Sequence, residues 1–297
     1  MKRLLLSITS LGFSALALAA QPLLTPVELQ GLLADKNVRV VDIRPGDAYA
    51  AQHIPGALSA PYGTWRGPAA NPGQLPALPE LHKRVQSLGL VPENHVVVVS
   101  SGADQTDFGA SARVYWTLKS LGFKELSVLN GGTEAWTAAK LPQDKTPVAA
   151  AASAYAPAFD ASMRATRAEV AALIGKPEAT LLDVRVPPQY KGQAKHDAAK
   201  VAGTVKGAVN FPHTSWFLPD SKLMGSADHA KKVLASAPVD PAKGTVVFCN
   251  TGHWGATGWF ALSEVAGMKN VRLYAESMVD WTLSDPLLPM DNVPAAK

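Results

Sequence analysis

The chain has 297 residues, of which 47% are hydrophobic and 18% are charged, and its formal net charge at pH 7 is +4. This length exceeds that of one average domain and predicts two. The net charge is small and no basic run is interleaved with aromatic residues, which excludes the usual signature of a nucleic-acid-binding protein. A single cysteine excludes an intrachain disulfide and disfavours a thiol-redox protein, which needs a second cysteine to resolve a mixed disulfide.

Residues 1–20 have the pattern of a secretory signal peptide. A basic start precedes an apolar run over residues 4–18 and an A-x-A motif, so cleavage is predicted after Ala19 or Ala20. The apolar run is too short to span a bilayer comfortably, and no later stretch reaches that length, so no membrane anchor is expected. The mature chain is therefore predicted to be exported, and to be periplasmic in a Gram-negative bacterium.

The rest of the sequence contains the same arrangement twice. A step of nine residues from Gly to Trp and a step of fourteen residues from Gly to Trp each occur in both halves. The matched pairs are Gly56–Trp65 with Gly207–Trp216, and Gly122–Trp136 with Gly267–Trp281. This repetition indicates a tandem duplication. We predict one domain over residues 21–144, an Ala- and Pro-rich linker over 145–163, and a second domain over 164–291.

Each half alternates short strands with helices. In chain order the first half gives the helix TPVELQGLLAD, the strands VRVVDIR and HVVVVS, the helix GASARVYWTLKSLG and the strand ELSVL. The second half repeats this order with TRAEVAALIG, ATLLDVR, GTVVFC, WGATGWFALSEVAG and NVRLY. The first of these helices is expected to start at a Thr166 cap and end at Gly175, and WGATGWFALSEVAG is expected to be amphipathic. Uninterrupted apolar strands between helices predict an α/β fold with a small, mostly parallel sheet in each half.

The single cysteine, Cys249, stands where a buried strand is predicted to meet a helix that starts near Trp254. In open α/β sheets, ligands bind beyond the carboxyl ends of the strands. Loop amides and the helix dipole add positive potential there, and Gly252 and Gly255 permit a tight turn. These features favour a reactive thiolate, whereas the structural alternative is a buried cysteine that packs as a small hydrophobic residue.

Two chemistries use a thiolate held in such a loop. Cleavage of a phosphate ester through a C-x5-R loop requires an arginine that binds the oxyanion, but the sixth residue after Cys249 is Gly255 and the loop contains no arginine. Transfer of a sulfane sulfur needs only a nucleophile that carries the sulfur as a persulfide and amides that stabilise the resulting anion. The sequence therefore favours sulfur transfer.

Several motifs resemble those of the tandem-domain rhodanese family of sulfurtransferases, and the similarity covers nearly all of the mature sequence. They are DIRPGDAYAAQHIPGA, SVLNGGTEAW, DVRVPPQYKG, KGAVNFP, CNTGHWGAT and VRLYAESMVDW. The resemblance implies two rhodanese-like domains, with a catalytic second domain and a first domain that kept the fold without the thiol; its matching segment offers Ser100 and Ser101. It also implies a persulfide on Cys249 bound by the amides of the loop that follows, which consists of Asn250, Thr251, Gly252, His253, Trp254 and Gly255.

The supporting residues of the site depart from the family pattern. Asp183 and Arg185 are interpreted as a structural ion pair, with a direct catalytic role as the alternative. Gln189 stands where relatives that use thiosulfate or mercaptopyruvate have an arginine, and Asn250 and Thr251 stand where thiosulfate users have a basic residue. A site without both cations is expected to bind a dianion weakly, so the donor stays open.

Three further features each allow two interpretations. His253 either orients an acceptor or shares a proton, or it is an ordinary exposed loop residue. Trp254 and Trp216 either form walls of the pocket or belong to the packing of the domain. Between Asp183 and Gly207 the second half has ten more residues than the first half has between Asp42 and Gly56. The Lys-rich segment 191–206 lies in this insertion. This segment is interpreted as a solvated loop, with a supply of positive charge near the thiol or the docking of a partner as alternatives.

The predicted function is therefore that of an exported sulfurtransferase that moves a sulfane sulfur from a small donor to cyanide, a dithiol or a protein thiol. The competing interpretation is a non-catalytic periplasmic carrier that delivers sulfur to a partner protein. No cofactor or metal is predicted, since the seven histidines lack the spacing of metal ligands and no G-x-x-x-x-G-K motif occurs.

Overall fold

The computed structural model describes residues 20–295. The predicted signal peptide, apart from Ala20, lies outside the described residues. Within residues 20–295, no helix combines the length and the apolar character needed to cross a membrane.

The first half of the chain forms a five-stranded sheet in the order β1-β5-β4-β2-β3, in which all pairings are parallel. Its strands are β1 (Leu23–Leu24), β2 (Val38–Asp42), β3 (Leu58–Ser59), β4 (His95–Val99) and β5 (Leu126–Leu129). Its helices are α1 (Pro26–Leu32), α2 (Gly46–Ala51), α3 (Leu78–Ser87), α4 (Phe108–Ser120) and α5 (Gly132–Ala138). The central strand β4 is fully apolar after its first residue, as expected for a strand covered on both faces.

The second half repeats this plan with a four-stranded parallel sheet and a separate antiparallel pair. Its strands are β6 (Ala179–Asp183), β7 (Thr204–Val205), β8 (Val209–Asn210), β9 (Gly244–Phe248), β10 (Val271–Leu273) and β11 (Met290–Asp291). Its helices are α6 (Arg167–Ala172), α7 (Pro187–Tyr190), α8 (Ala227–Leu234), α9 (His253–Phe260) and α10 (Ser277–Thr282). The sheet has the order β10-β9-β6-β8, and β7 pairs with β11. The predicted α/β fold with two parallel sheets is confirmed.

Helix α6 shows how local sequence sets an element. The Thr166 hydroxyl accepts a hydrogen bond from the amide of Glu169, and the Glu169 carboxylate accepts one from the amide of Thr166. This capping box satisfies two amides that a helix start leaves unpaired, so the predicted start is confirmed. The helix ends at Ala172, before the predicted end at Gly175.

Helices α4 and α9 pack against each other across the two halves. The ring of Tyr115 on α4 meets the ring of Phe260 on α9 edge to face, with centroids 5.0 Å apart. Twelve of the thirteen residues of α4 are buried, and so is every residue of α9 from Gly255 to Phe260. The expectation of an amphipathic helix is therefore wrong for α9, because the first half covers the face that would otherwise meet water. The packing of α4 on α9 therefore brings the first residue of α9, His253, into contact with the first half, next to Gly109.

The Ala- and Pro-rich segment predicted as a linker runs along the first half of the molecule. The Tyr155 hydroxyl donates to the carbonyl of Leu121 at 2.7 Å, and Gln86 on α3 donates to the carbonyl of Tyr155 at 3.1 Å. Its backbone is therefore anchored to the surface of the first half, although it contains no strand and only one short 3₁₀ turn at Ala161–Met163.

Candidate active site

Cys249 directly follows the central strand β9, and three residues separate it from His253, the first residue of α9. Its residue exposure is 1%, but it forms part of the wall of a cavity of about 360 Å³. The other residues that line this cavity are Arg66, Pro72, Thr106, Gln189, His196, Asn250, Thr251, His253 and Trp254. A sulfur donor has to reach the thiol through this cavity, because the rest of the side chain is enclosed by protein.

The turn between β9 and α9 depends on Gly252. This residue is the N-cap of α9 and has a φ of 67°, in the left-handed region that disfavours other residues. A Cβ atom at this position would collide with the carbonyl oxygen of Ala275 and with the guanidinium of Arg113. Glycine is therefore required for both the conformation and the close approach of these two neighbours.

The Ser277 hydroxyl fixes the base of the loop. It accepts hydrogen bonds from the amides of Cys249 and Gly252, each at 3.1 Å, and donates to the carbonyl of Tyr274 at 2.7 Å. The amide of Gly252 is thus already bonded, in contrast to the expectation that all amides from residue 250 to 255 face a persulfide. Ser277 was not singled out from the sequence, where it occurs only within the motif VRLYAESMVDW. Its position in the turn after the last strand of the repeat was the available signal.

Five other amides of the loop have no hydrogen-bond acceptor among the residues that the structure describes. They belong to Asn250, Thr251, His253, Trp254 and Gly255. The last three are in the first turn of α9, where amides have no partner within the helix and carry partial positive charge. Asn250, Thr251, His253 and Trp254 line the same cavity as the thiol. The loop can therefore stabilise an anion that forms on Cys249.

The Asp183–Arg185 pair supports the wall of the cavity from behind. Both side chains are buried, with Nη2 of Arg185 2.6 Å from Oδ2 of Asp183. Arg185 also donates to the side-chain oxygen of Asn250 at 3.2 Å, and Asn250 donates to the side-chain oxygen of Gln189 at 2.8 Å. The first half contains the same bidentate arrangement between Asp42 and Arg44. The pair makes no contact with the sulfur of Cys249. It positions the site through Asn250.

His253 is held by two residues of the first half. Arg66 donates to the Tyr62 hydroxyl at 3.0 Å, so that hydroxyl donates its own proton to Nδ1 of His253 at 2.9 Å. The ring hydrogen of His253 is therefore on Nε2, which donates to the carbonyl of Thr106 at 2.8 Å. Burial, and next the charge of Arg66, lower the pKa of His253 to about 3. Both ring nitrogens are occupied in a neutral ring, so the arrangement does not support a shared proton with substrate.

The two tryptophans have different surroundings. Trp254 lines the cavity and stacks on His213, with centroids 4.4 Å apart and planes 10° from parallel. Burial lowers the pKa of His213 to about 4, so this ring is also neutral. Trp216 is 1% exposed and packs against Phe211 in the core. Trp254 is thus a wall residue and Trp216 a core residue.

The first half contributes cations that sequence reasoning missed. Arg66 lines the cavity and donates to the carbonyl of Thr251 at 2.8 Å. Arg113, fully buried on α4, donates to the carbonyls of Gly252 at 3.4 Å and Gly73 at 2.8 Å. Burial lowers the pKa of Arg113 to about 10, so it stays charged at neutral pH. Positions 189, 250 and 251 lack a cation, as the sequence shows, and the positive charge at the site comes from the other half of the chain.

The Lys-rich segment 191–206 contributes to the site in an unexpected way. Its lysines do not line the cavity, and Lys195 donates instead to the carbonyl of Ala199 at 2.7 Å. His196 does line the cavity. The segment ends in β7, which pairs with β11 near the carboxyl end of the described chain. The alternative that its lysines supply positive charge near Cys249 is not supported.

The corresponding loop of the first half has an anion of its own. Ser100 follows β4 as Cys249 follows β9, and its carbonyl accepts from the amide of Thr133 as that of Cys249 accepts from the amide of Met278. In this loop the Asp107 carboxylate accepts a hydrogen bond from the amide of Gly102 at 2.6 Å. The first half therefore lacks the thiol, and a carboxylate takes up part of its loop.

Comparison with known proteins gives the same result along the chain and in three dimensions. A family model described as Rhodanese-like domain matches residues 25–139 and again residues 166–284. A thiosulfate sulfurtransferase of Azotobacter vinelandii is 31% identical over 89% of this chain and 95% of its own length. A Pseudomonas aeruginosa protein named probable 3-mercaptopyruvate sulfurtransferase is 30% identical over 92% of this chain and 99% of its own. The crystal structure of a 3-mercaptopyruvate sulfotransferase from Escherichia coli superposes with a TM-score of 0.75 over 87% of this chain and 99% of that chain, at 20% identity, which supports the fold alone.

Proposed function

Since the chain belongs to the rhodanese-like family of sulfurtransferases, we propose that it moves a sulfane sulfur from a small donor to a thiophilic acceptor through a persulfide on Cys249. The observation that carries this proposal is the position of the chain's single thiol, at the wall of a cavity and beside five amides without acceptors. The acceptor is cyanide, a dithiol or a protein thiol.

The reaction divides into two displacements at sulfur. In the first, the Cys249 thiolate attacks the sulfane sulfur of the donor, an S–S bond forms, and the rest of the donor leaves with the electron pair of the bond that breaks. In the second, the acceptor attacks the outer sulfur and the thiolate leaves. The enzyme returns to its starting state, and neither displacement needs an external oxidant or reductant.

The loop stabilises the intermediate between these steps. A persulfide carries its negative charge on the outer sulfur, which takes up space in the cavity that Cys249 lines. Amides at the start of α9 offer hydrogen bonds to that anion, and donors fixed before the reaction need no reorganisation. The five unbonded amides therefore supply the stabilisation that the persulfide requires.

A second candidate function is that of a sulfur carrier without rapid turnover. The enclosure of Cys249, which is 1% exposed, favours it, because a sheltered persulfide is protected from small acceptors until a partner opens the site. The two functions share the persulfide and differ in the rate at which a small acceptor removes it.

Intact-protein mass spectrometry tests both functions. We expect the protein to gain one sulfur atom after incubation with thiosulfate, 3-mercaptopyruvate or polysulfide, and Cys249→Ser to gain none while keeping its circular dichroism spectrum. If the protein is an enzyme, cyanide should then remove the sulfur as thiocyanate at a rate at least equal to the steady-state turnover rate. A persulfide that persists in cyanide would favour the carrier, and a wild-type protein that gains no sulfur from any donor would refute both.

We also propose that the protein is exported and cleaved after Ala19. The amide nitrogen of Ala20 lies 2.6 Å from a carboxylate oxygen of Glu125. Cleavage after Ala19 would turn this nitrogen into an ammonium beside that carboxylate, which stabilises the new terminus. The test is the amino-terminal sequence of protein recovered from the periplasmic fraction of a Gram-negative host, which should begin at Ala20. Uncleaved protein confined to the cytoplasm would contradict it.

A further inference from the structure

Within residues 20–295, the side chains that line the cavity carry positive charge without any compensating carboxylate. Among the described residues that line it, Arg66 is the one arginine or lysine, and no aspartate or glutamate is present. One lining histidine, His253, is neutral because burial lowers its pKa to about 3. The cavity that contains the thiol therefore presents one permanent positive charge and no permanent negative charge other than an ionised Cys249.

Arg66 has donors to spare. Its two terminal nitrogens each donate one hydrogen bond, to the Tyr62 hydroxyl and to the carbonyl of Thr251. A guanidinium has five N–H groups, so three remain unused. No carboxylate lies within 4.0 Å of this guanidinium in the part of the chain that the structure describes. A half-buried cation without a counterion favours an anionic ligand.

The contacts of Arg66 also determine where its charge acts. Its bond to Thr251 joins it to the residue two positions after Cys249, and its bond to Tyr62 joins it to the partner of His253. Burial raises the pKa of Tyr62, so its hydroxyl stays protonated and neutral. The guanidinium is thus held at the cavity wall by neutral groups, and its charge is left for a ligand.

On this basis, and resting on the proposed function, we propose that Arg66 binds the anionic oxygens of the sulfur donor. The donor class is a small molecule in which a transferable sulfur is close to a sulfonate-like or carboxylate group. Arg66 comes from the half of the chain without the thiol, so the donor site is shared between the two halves. This assignment accounts for the absence of an arginine at position 189 and of a basic residue at positions 250 and 251.

For both donor types, atoms, electrons and charge balance when Arg66 binds the anionic group. With thiosulfate, the thiolate attacks the outer sulfur, the S–S bond to the sulfonate breaks, and sulfite leaves as a dianion beside Arg66. With 3-mercaptopyruvate, the C–S bond breaks and the carbon takes both the electron pair and the thiol proton, giving pyruvate, whose carboxylate stays beside Arg66. In each case Cys249 becomes the persulfide anion and the total charge is unchanged.

Alkylation of the thiol measures the charge in the cavity without any sulfur transfer. Iodoacetate is anionic and iodoacetamide is neutral, and both react with the same thiolate, so the ratio of their rates reports the local charge. We expect Arg66→Gln to lower this ratio about tenfold, the order expected for one unit charge close to the reacting atom. Arg66→Lys should keep it within about threefold, because lysine retains the charge but loses the planar fork.

Two controls accompany these variants. Arg39→Gln removes an arginine at the amino end of β2 and should leave the ratio unchanged. Tyr62→Phe removes a contact of Arg66 while its charge stays, and should change the ratio little. If Arg66→Gln does not fold, the wild-type protein still gives a test, because the rate with iodoacetate should fall with added salt and the rate with iodoacetamide should not.

Steady-state kinetics then separates the two donor types. Arg66→Gln should raise KM about tenfold for each donor whose head group it binds, and a rise for thiosulfate alone would identify the sulfonate-like group. An unchanged alkylation ratio together with unchanged KM for thiosulfate and 3-mercaptopyruvate would overturn the assignment. A wild-type protein that gains no sulfur would instead refute the proposed function, and the alkylation ratio would still report whether Arg66 attracts an anion.

Discussion

Among single residues, Ser277 has the central structural role at the base of the cysteine loop. Its hydroxyl joins the amides on either side of the cysteine loop to the carbonyl of Tyr274. It does so with a φ of 57°, a conformation that costs a residue other than glycine about 1 kcal/mol. The hydrogen bonds offset that cost, so the strained residue holds the loop in the shape that leaves its other amides unbonded.

Two variants at this position separate the hydroxyl from the strain. Ser277→Ala should lower the free energy of unfolding by about 2–3 kcal/mol, because two buried amides lose their acceptor, and should slow persulfide formation. Ser277→Gly loses the same hydroxyl but adopts the positive φ without strain, so it should be about 1 kcal/mol more stable than Ser277→Ala. Urea denaturation and the rate of sulfur uptake measure these effects. Wild-type stability and rate in Ser277→Ala would show that the hydroxyl is dispensable.

The other residues of the loop show what side-chain identity does not reveal. His253 was open to a role in proton sharing, yet its ring is fixed between Tyr62 and the carbonyl of Thr106. Both partners lie in the first half, at separations of 191 and 147 residues. Local sequence cannot specify contacts at such distances, and a histidine in a loop carries the same pattern whether it is free or bound.

At the scale of elements, the sequence signal is strongest where a local cause is sufficient. Helix α6 starts at its Thr166 cap because the capping box is made by residues three apart. The strands before Cys249 and Ser100 are apolar because both faces are covered, so their type could be predicted. Helix α9 was predicted to have a polar face, and the structure shows it buried because α4 covers that side.

The order of strand, loop and helix also fixes the position of the thiol at this scale. Cys249 lies at the carboxyl end of the central strand β9 and before the first turn of α9, which the sequence alone indicated. The Gly252 turn makes this geometry possible, because no other residue fits its φ and its contact with Ala275. The loop of the first half has the same origin, but Asp107 occupies an amide that an incoming anion would need.

At the scale of the whole molecule, the two halves form one unit around the site. Tyr115 on α4 donates to the Glu264 carboxylate at 2.8 Å, and Lys119 pairs with the same carboxylate at 2.6 Å. This polar contact joins the halves beyond the last residue of α9, Phe260, whereas the cysteine loop precedes the first residue of α9. His253 joins them again at the cavity. Separation of the halves would therefore expose His253 to water and to protonation.

Two neutral histidines make stability depend on pH in a defined direction. The pKa values of His213 and His253 fall from 6.5 to about 4 and about 3 in the folded protein, chiefly through burial. Below pH 6.5 the unfolded chain binds protons that the folded chain does not, so the free energy of unfolding should fall as the pH decreases. Well below pH 6.5, and above the folded pKa of each ring, the slope approaches about 1.4 kcal/mol per pH unit for each histidine.

Urea denaturation between about pH 5 and pH 6.5 checks this slope, because the carboxylates with lowered pKa values lose their contribution only at lower pH. His213→Phe keeps a ring against Trp254 and cannot be protonated, so it should lower the acid slope by up to about 1.4 kcal/mol per pH unit. A free energy of unfolding that stays constant or rises toward pH 5 would contradict the neutral, buried state of these rings.

The amino-acid sequence was sufficient to predict the duplicated α/β fold, the elements on either side of Cys249 and the type of chemistry that a single thiol in such a loop supports. These depend on periodicity, caps and spacing, which act over a few residues. Three features became visible in the folded molecule: Arg66 and Thr106 line the cavity of Cys249, His253 is neutral and bound by Tyr62 and Thr106, and the segment 191–206 contributes His196 instead of its lysines. Packing of α4 against α9 brings Tyr62, Arg66 and Thr106 to a loop that lies more than a hundred residues away along the chain, and no local sequence pattern records which surfaces will meet.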